Sequence, residues 1–210
     1  MRSGSDTATR LLGAGVVALA ESLAPCRLLS GIRLQVGTPF AGPSVTVELP
    51  AGDNLGVHLA LEAVNTGDVV CVASAGRGLY GVVGELLAES ARARGVVAFV
   101  IDDGIRDVDA LVAPPAIAAR GVSARGTVKR RVRRIVNADV SLGGALVRAG
   151  DWITGDADGI CVLPAEELES ALARAESRIA RERVVREELR TGTPSRRVLD
   201  LPADATASIG

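Results

Sequence analysis

The chain has 210 residues, 24 Lys and Arg against 25 Asp and Glu, 48% hydrophobic residues, 2% aromatic residues and a single His. One compact domain is expected at this length, burying roughly 70% of its extended surface around Val, Leu, Ile and Ala, so no disulfide or metal staple is needed. A net charge of −1 with so few aromatics argues against a general nucleic-acid binder, and unpatterned glycines with high apolar content argue against collagen-like, coiled-coil and disordered classes.

In chain order, Arg10 precedes an apolar run over 11–20 that Glu21 ends, which reads as a first amphipathic helix. The run is shorter than the ~18 residues of a membrane span. Leu23-Ala24-Pro25-Cys26 loosely matches a lipoprotein cleavage site, but Pro25 stands where a small residue is required. Residues 37–43 are turn-rich, 44–49 alternate as a half-buried strand, and Asp53-Asn54-Leu55 caps a short helix running toward Val64. The apolar run 68–73 is a strand covered on both faces, glycines follow at 76, 78, 81 and 84, and 85–94 form a helix stopped by Gly95. A second buried strand over 96–101 ends in Asp102-Asp103-Gly104-Ile105-Arg106-Asp107. Short strands are expected within 120–140, then strands bounded by turns at Gly143-Gly144 and at 155–159. Pro164 opens a long C-terminal helix whose early Glu166, Glu167 and Glu169 suit its positive end, and Gly192 closes it. Leu168, Leu172, Ala175 and Ile179 form one apolar stripe on that helix, facing the domain or a neighbouring subunit.

Few side chains can carry chemistry. Cys26, Cys71 and Cys161 are odd in number and widely spaced, which suits core residues in a reducing, cytoplasmic setting better than a disulfide or zinc framework. His58 has no second His or Cys at ligand spacing and reads as a structural histidine, which removes most Ser-His-Asp and Cys-His schemes. Gly76-x-Gly78-x-x-Gly81, with Asp102 downstream, fits the dinucleotide fingerprint between a strand and a helix; a crossover loop beside another ligand is the plainer reading. Lys129-Arg130-Arg131-Val132-Arg133-Arg134 reads as a solvated face or a subunit salt-bridge rim, with phosphate or RNA contact as the alternative. In a right-handed β-α-β unit, the helix opened by Glu85 and the strand end carrying Arg106-Asp107 share one sheet edge. Those three side chains can then converge, with the amides of Leu86 and Leu87 free to receive an anion.

Several motifs in order carry a resemblance: Ala41-Gly42-Pro43-Ser44-Val45-Thr46-Val47, Asp53-Asn54-Leu55 with His58, Gly67-Asp68-Val69-Val70, Gly84-Glu85-Leu86-Leu87-Ala88 and Ile105-Arg106-Asp107-Val108-Asp109. Gly143-Gly144, Gly150-Asp151, the run from Asp156 to Pro164, and Glu182, Arg186, Leu189 and Gly192 continue it. From about residue 17 to 200 the chain resembles the family of the regulator of ribonuclease E activity A (RraA) and the class II 4-hydroxy-4-methyl-2-oxoglutarate aldolases.

The resemblance implies a single α/β domain of the swivelling β/β/α type over 1–210, with about 1–16 loosely ordered or extending the first helix and about 164–191 as the C-terminal helix. It implies a homotrimer or hexamer with its active site at the subunit boundary and Mg²⁺ or Mn²⁺ as cofactor. Carried over by position, Asp107 ligates the metal, Arg106 holds the pyruvyl oxygens, and the amides of Leu86 and Leu87 receive the substrate carboxylate. Glu85 orients a metal-bound water, and Glu182 is an acid contributed by a neighbouring subunit. The expected activity is aldol cleavage of a 4-hydroxy-2-oxo acid or decarboxylation of oxaloacetate through a pyruvate enolate. A non-catalytic, protein-binding regulator is the alternative and a dinucleotide-binding protein a lesser one. Where the family's run reads Asp-Gly-x-x-Arg-Asp, Asp103 replaces the glycine; the extra carboxylate could add a metal ligand, reshape the pocket or repel an acidic substrate.

Overall fold

The computed structural model describes residues 4–22, 27–75, 78–131 and 136–202. Its chain order is α1 (Gly4–Ala20), β1 (Arg33–Val36), β2 (Phe40–Leu49), α2 (Leu55–Glu62), β3 (Val69–Ser74), β4 (Gly81–Val83), α3 (Glu85–Ala93), β5 (Ala98–Ile105) and β6 (Ala116–Val122). Two hairpins follow, β7 (Val140–Leu142) with β8 (Ala145–Val147) and β9 (Trp152–Gly155) with β10 (Ile160–Leu163), then α4 (Leu168–Arg190) and α5 (Ser195–Val198).

A mixed sheet runs in the order β1-β6-β5-β3-β2-β9-β10, with β4 also pairing with β5. The centre is parallel, β2 to β3 to β5 to β6, and the flanks are antiparallel. Strand alternation between two covered faces explains the continuous apolar runs 69–73 of β3 and 98–101 of β5. Val70, Val72, Phe99 and Ile101 face a layer with Val57, Leu61, Leu87 and Ala91 of α2 and α3. Val69, Cys71, Ala98 and Val100 face Val140, Leu142 and Val147 of the β7–β8 hairpin on the other side. The polar alternates of β2 are satisfied beneath that second layer: the hydroxyls of Ser44 and Thr46 donate to the carbonyls of Arg148 and Ala138 at 2.7 Å each.

Strand β2 changes partners at Pro43. Residues 40–43 pair with β9, and from Ser44 the strand pairs with β3. The change brings the backbone of Gly42 against Gly67, where a Cβ would collide with the Gly67 carbonyl oxygen. At the far edge, α1 and the start of α4 close a third core of Leu11, Leu19, Leu163, Leu168, Leu172 and Ala175, so the C-terminal stripe packs against its own domain. α1 bends at Gly15 (φ 74°), and the Asp156 carboxylate in the β9–β10 turn accepts the amide of Val16 at 2.9 Å, restarting the helix. Beyond Ala175, α4 has no buried residue.

Three expectations need correction. The strand expected as half-buried over 44–49 starts at Phe40, within the turn-rich segment, and is buried on both faces, because residues 40–43 pair with β9. The second buried strand starts at Ala98 and continues to Ile105, because β4 pairs with its far end. Within 120–140, strand structure among the described residues stops at Val122 and resumes at Val140, apart from a single bridge between Asp53 and Val128. Of the charged run, residues 129–131 are described, and there the backbone amides of Arg130 and Arg131 are held by Asp53 rather than by a neighbouring strand, so that 123–131 lie as a strap. Cys71 and Cys161 are core residues, and burial pushes the Cys71 thiol up; Cys26 lies outside the described residues. Among the described residues no helix is long and apolar enough to cross a membrane.

Gly42→Ala is expected to lower unfolding stability in urea by about 3 kcal/mol, because backbone rather than a flexible side chain opposes the new methyl group. A loss below about 1 kcal/mol would show that β2 can part from the 67–69 turn without cost.

Candidate active site

The carboxyl ends of β3, β5 and β6 and the amino ends of α2 and α3 meet at one edge of the sheet. Short β4 lies beside the end of β5, and the amide of Arg106 donates to the Val83 carbonyl at 3.0 Å. Gly84 then caps α3 in an extended conformation. A Cβ on Gly84 would collide with Asp107 Oδ2 and stand 2.9 Å from Arg106 Cγ, so any other residue would push these two side chains away from the start of α3. Asp107 adopts a left-handed backbone (φ 57°), which turns the chain out of β5 and carries its side chain back toward α3. Its Oδ2 lies 3.4 Å from the Glu85 amide and 3.5 Å from Arg106 Nε.

The structure therefore brings Glu85, Arg106 and Asp107 together. The Asp107 side chain is 47% exposed and its contacts are long, leaving lone pairs available. Arg106 Nε is buried without a hydrogen-bond partner. Gly84 has no side chain with which to cap α3, so Asp107 is the carboxylate nearest its first amide and the amides of Leu86 and Leu87 follow in the first turn at the positive end; the Leu86 side chain is 84% exposed while Leu87 anchors the turn in the core. Among the described residues no three His, Cys, Asp or Glu side chains cluster as a cage for a metal. This donor set still fits a hard cation such as Mg²⁺, which keeps several waters and takes one or two carboxylates plus substrate oxygens.

Other expected residues stand elsewhere. Asp103 is buried and fully engaged: Oδ2 accepts the Ser74 hydroxyl at 2.8 Å, and Oδ1 accepts the amides of Tyr80 at 2.6 Å and Gly104 at 2.8 Å. It clamps the 74–80 loop and does not face the Asp107 cluster as a spare ligand. Glu182 lies on the outer half of α4, where Oε1 is 2.8 Å from Arg178 Nε, and Arg178 also pairs with Glu21 at the end of α1. Within one protomer it is not part of the cluster.

The dinucleotide fingerprint is not built as such. Gly76 lies outside the described residues, β4 intervenes before α3, and Gly81 is glycine because a Cβ there would meet the Ser123 carbonyl oxygen at 2.6 Å and Arg106 Cβ at 2.8 Å. Asp102 pairs with Arg120 and accepts the Gly143 amide at 3.1 Å, so it is not free for a ribose.

The basic strap reaches the same edge. Asp53 Oδ1 caps α2 through the Leu55 amide at 2.9 Å, and its Oδ2 accepts the amides of Arg130 and Arg131 at 2.8 and 2.9 Å. Burial pushes this carboxyl up, but the three amides and the Arg130 charge outweigh it and hold it below the usual carboxylate value of 3.8. His58, partly buried one turn into α2, is held below its ordinary value by burial and by Lys129. Residues 132–135, which hold the rest of the charged run, lie outside the described residues. Sequence reasoning missed Tyr80 and Arg125, whose guanidinium carbon stands 4.1 Å from the Tyr80 ring centroid; nothing in their spacing marks them as a pair.

Against known proteins, residues 18–162 match the RraA-like (Aldolase/RraA) family model. The chain belongs to this family. It is 35% identical over 140 residues to a protein from Halalkalibacterium halodurans provisionally named a 4-hydroxy-4-methyl-2-oxoglutarate aldolase, the match spanning 66% of each chain. Among solved structures, a Pseudomonas syringae protein superposes with a TM-score of 0.83 at 22% identity, covering 95% of this chain and 99% of that one. Streptomyces coelicolor RraAS2, an unusual member of the RNase ES inhibitor RraA family, superposes at 0.78 and 22% identity, covering 89% and 100%. These structures establish the RraA-like fold, an α/β domain with a mixed, curled sheet and a long C-terminal helix.

In this RraA-like chain Asp53 links α2 to the strap through charge, and its stability contribution follows its ionisation. The folded-state value lies below 3.8, so the contribution is complete above that pH and is lost as pH falls through the folded value. Asp53→Asn is expected to cost about 2 kcal/mol at pH 7. The difference from wild type should shrink in urea melts run below pH 3.8; a pH-independent difference would assign the loss to packing.

Proposed function

We propose that this chain is a divalent-metal-dependent aldolase or decarboxylase that cleaves a C–C bond in a 4-hydroxy-2-oxo acid or in oxaloacetate, by way of a pyruvate enolate. One observation carries this reading: an accessible carboxylate, a guanidinium whose buried N–H meets that carboxylate only at 3.5 Å, a helix-opening glutamate and the first amides of a helix meet at one sheet edge. Asp107 would hold Mg²⁺ or Mn²⁺, and the cation when bound would polarise the 2-oxo group of the substrate. The amides of Leu86 and Leu87 receive the C1 carboxylate at the positive end of α3. Arg106 donates to the 2-oxo oxygen and offsets the negative charge that develops there as the C3–C4 bond breaks.

Glu85 handles protons. In an aldol substrate it accepts the C4 hydroxyl proton, directly or through water, while the C3–C4 electron pair becomes that of the enolate; a proton returned to C3 completes pyruvate. With oxaloacetate the same electron pair is left behind by departing CO₂, and only the protonation at C3 remains. Glu182 from a neighbouring protomer would supply the second acid, in a homotrimer or hexamer whose site is shared between subunits. The similarity to RraAS2 favours the rival reading, a protein-binding regulator without catalysis, yet a binding surface has no need of Glu85, Arg106 and Asp107 on one point.

With Mg²⁺ or Mn²⁺, the purified protein is expected to release pyruvate from oxaloacetate faster than the metal alone, and Asp107→Ala to remove at least about 100-fold of the gain. Equal rates for wild type and Asp107→Ala would overturn the catalytic reading and favour the regulator. If Glu182 crosses a subunit boundary, Glu182→Gln and Asp107→Ala preparations, each inactive, should regain activity after being mixed through a dissociation step, since some assembled sites then receive both native residues. No recovery, in assemblies shown by native mass spectrometry to be mixed, would confine each site to one chain.

A further inference from the structure

Next to the segment that carries Arg106, and resting on the function proposed for that cluster, runs a second arginine-bearing segment that the reaction scheme leaves unused. Arg125 follows β6, and its carbonyl accepts the amide of Gly81 at 2.9 Å. On the other flank of Gly81 lies the stem of Arg106, whose Cβ would be 2.8 Å from a Cβ added there. Gly81 thus separates the two arginine-bearing segments by no more than its own backbone.

The Arg125 side chain is held rather than free. Its guanidinium carbon lies 4.1 Å from the centroid of the Tyr80 ring. That ring is wedged between Gly52 and Gly78, where added Cβ atoms would stand 2.8 and 3.0 Å from its edge carbons. Three contacts fix the Tyr80 segment itself: its amide donates to Asp103 Oδ1, its carbonyl accepts the Gly104 amide at 3.0 Å, and the Ser123 hydroxyl donates to the Leu79 carbonyl at 2.7 Å. The Ser123 oxygen in turn accepts the Arg125 amide at 3.2 Å. Among the described residues no carboxylate pairs with Arg125, whereas Arg106 has Asp107 beside it. A guanidinium held over a ring face, with no carboxylate partner, keeps N–H donors available, and a guanidinium fork can accept a planar carboxylate in two hydrogen bonds.

We infer that Arg125, stacked on Tyr80 and positioned through Asp103, is a specificity-determining residue that receives a second, far-end carboxylate of the 2-oxo acid. Arg106 serves the reacting end and Arg125 the remote end. Asp103, which stands in place of the glycine in the Asp-Gly-x-x-Arg-Asp run, is then a positioning residue that fixes the Tyr80 platform.

The test uses two pairs of compounds that differ only at the far end. With Mg²⁺ present, pyruvate release is followed from 4-hydroxy-2-oxoglutarate and from 4-hydroxy-2-oxopentanoate, which lacks the remote carboxylate. Binding of the unreactive pair 2-oxoglutarate and 2-oxopentanoate is measured by calorimetry. Arg125→Gln is expected to raise KM and Kd for the dicarboxylates about 10-fold and to leave the monocarboxylates within about 2-fold, with Arg125→Lys recovering part of the loss. Tyr80→Leu and Asp103→Gly should shift the same ratio in the same direction by less, without altering kcat for the monocarboxylate. Loss of affinity for both members of a pair to the same extent, or for neither, overturns the assignment. A wild type that releases no pyruvate from either substrate yet prefers 2-oxoglutarate, and loses that preference in Arg125→Gln, would overturn the catalytic reading while supporting the subsite.

Discussion

The close approach of β4 and the start of α3 to the end of β5 is the constraint on which the candidate site depends. Gly81, Gly84 and Gly104 each stand where a Cβ would run into neighbouring backbone or side-chain atoms. With those side chains absent, Arg106 and Asp107 lie against Gly84, and Asp107 comes within reach of the first amide of α3. The parallel pairing of β5 with both β3 and β6 sets the depth of this edge, since a buried three-strand centre cannot slip by one residue without turning Val70, Val72, Phe99 and Ile101 out of their layer.

Around that edge the acidic residues divide by what their oxygens touch. Asp53, Asp102 and Asp103 accept backbone amides or pair with a cation, and so hold the strap, the β7–β8 turn and the 74–80 loop. Glu85 and Asp107 remain exposed, with long contacts or none that satisfy them. The carboxylates tied into the fold are thereby unavailable as ligands, while those left open stand beside a helix terminus and a guanidinium, where an incoming anion and a cation can both be accommodated. The fold and its chemistry use the same residue type in separate ways, and hydrogen-bond occupancy distinguishes them.

Much of this was legible in the chain. Continuous apolar runs at 68–73 and 96–101 mark strands covered on both sides, and the helix between them, stopped by Gly95, brings Glu85 and Arg106-Asp107 to the same edge through the handedness of the crossover. The stripe of Leu168, Leu172 and Ala175 is likewise visible from its period. The length of β5 and the conformation of the 123–131 segment were not, because both depend on partners distant in sequence: β4 extends the ladder of β5, and Asp53 holds the strap. Asp103 could be recognised as an extra carboxylate, but its direction follows from Ser74 and Tyr80, which approach it from another loop.

By itself the sequence determined the central strands with their two-faced burial, the helix between them and the meeting of a helix-opening glutamate with an Arg-Asp pair, because periodicity, glycine stops and crossover handedness are local or nearly local properties of the chain. The tertiary structure alone decided which carboxylates are consumed and which are open, and that Arg125 lies on the face of Tyr80. Those outcomes depend on distances between segments remote in sequence, and a hydrogen bond or a ring stack exists only once folding has closed those distances to a few ångströms.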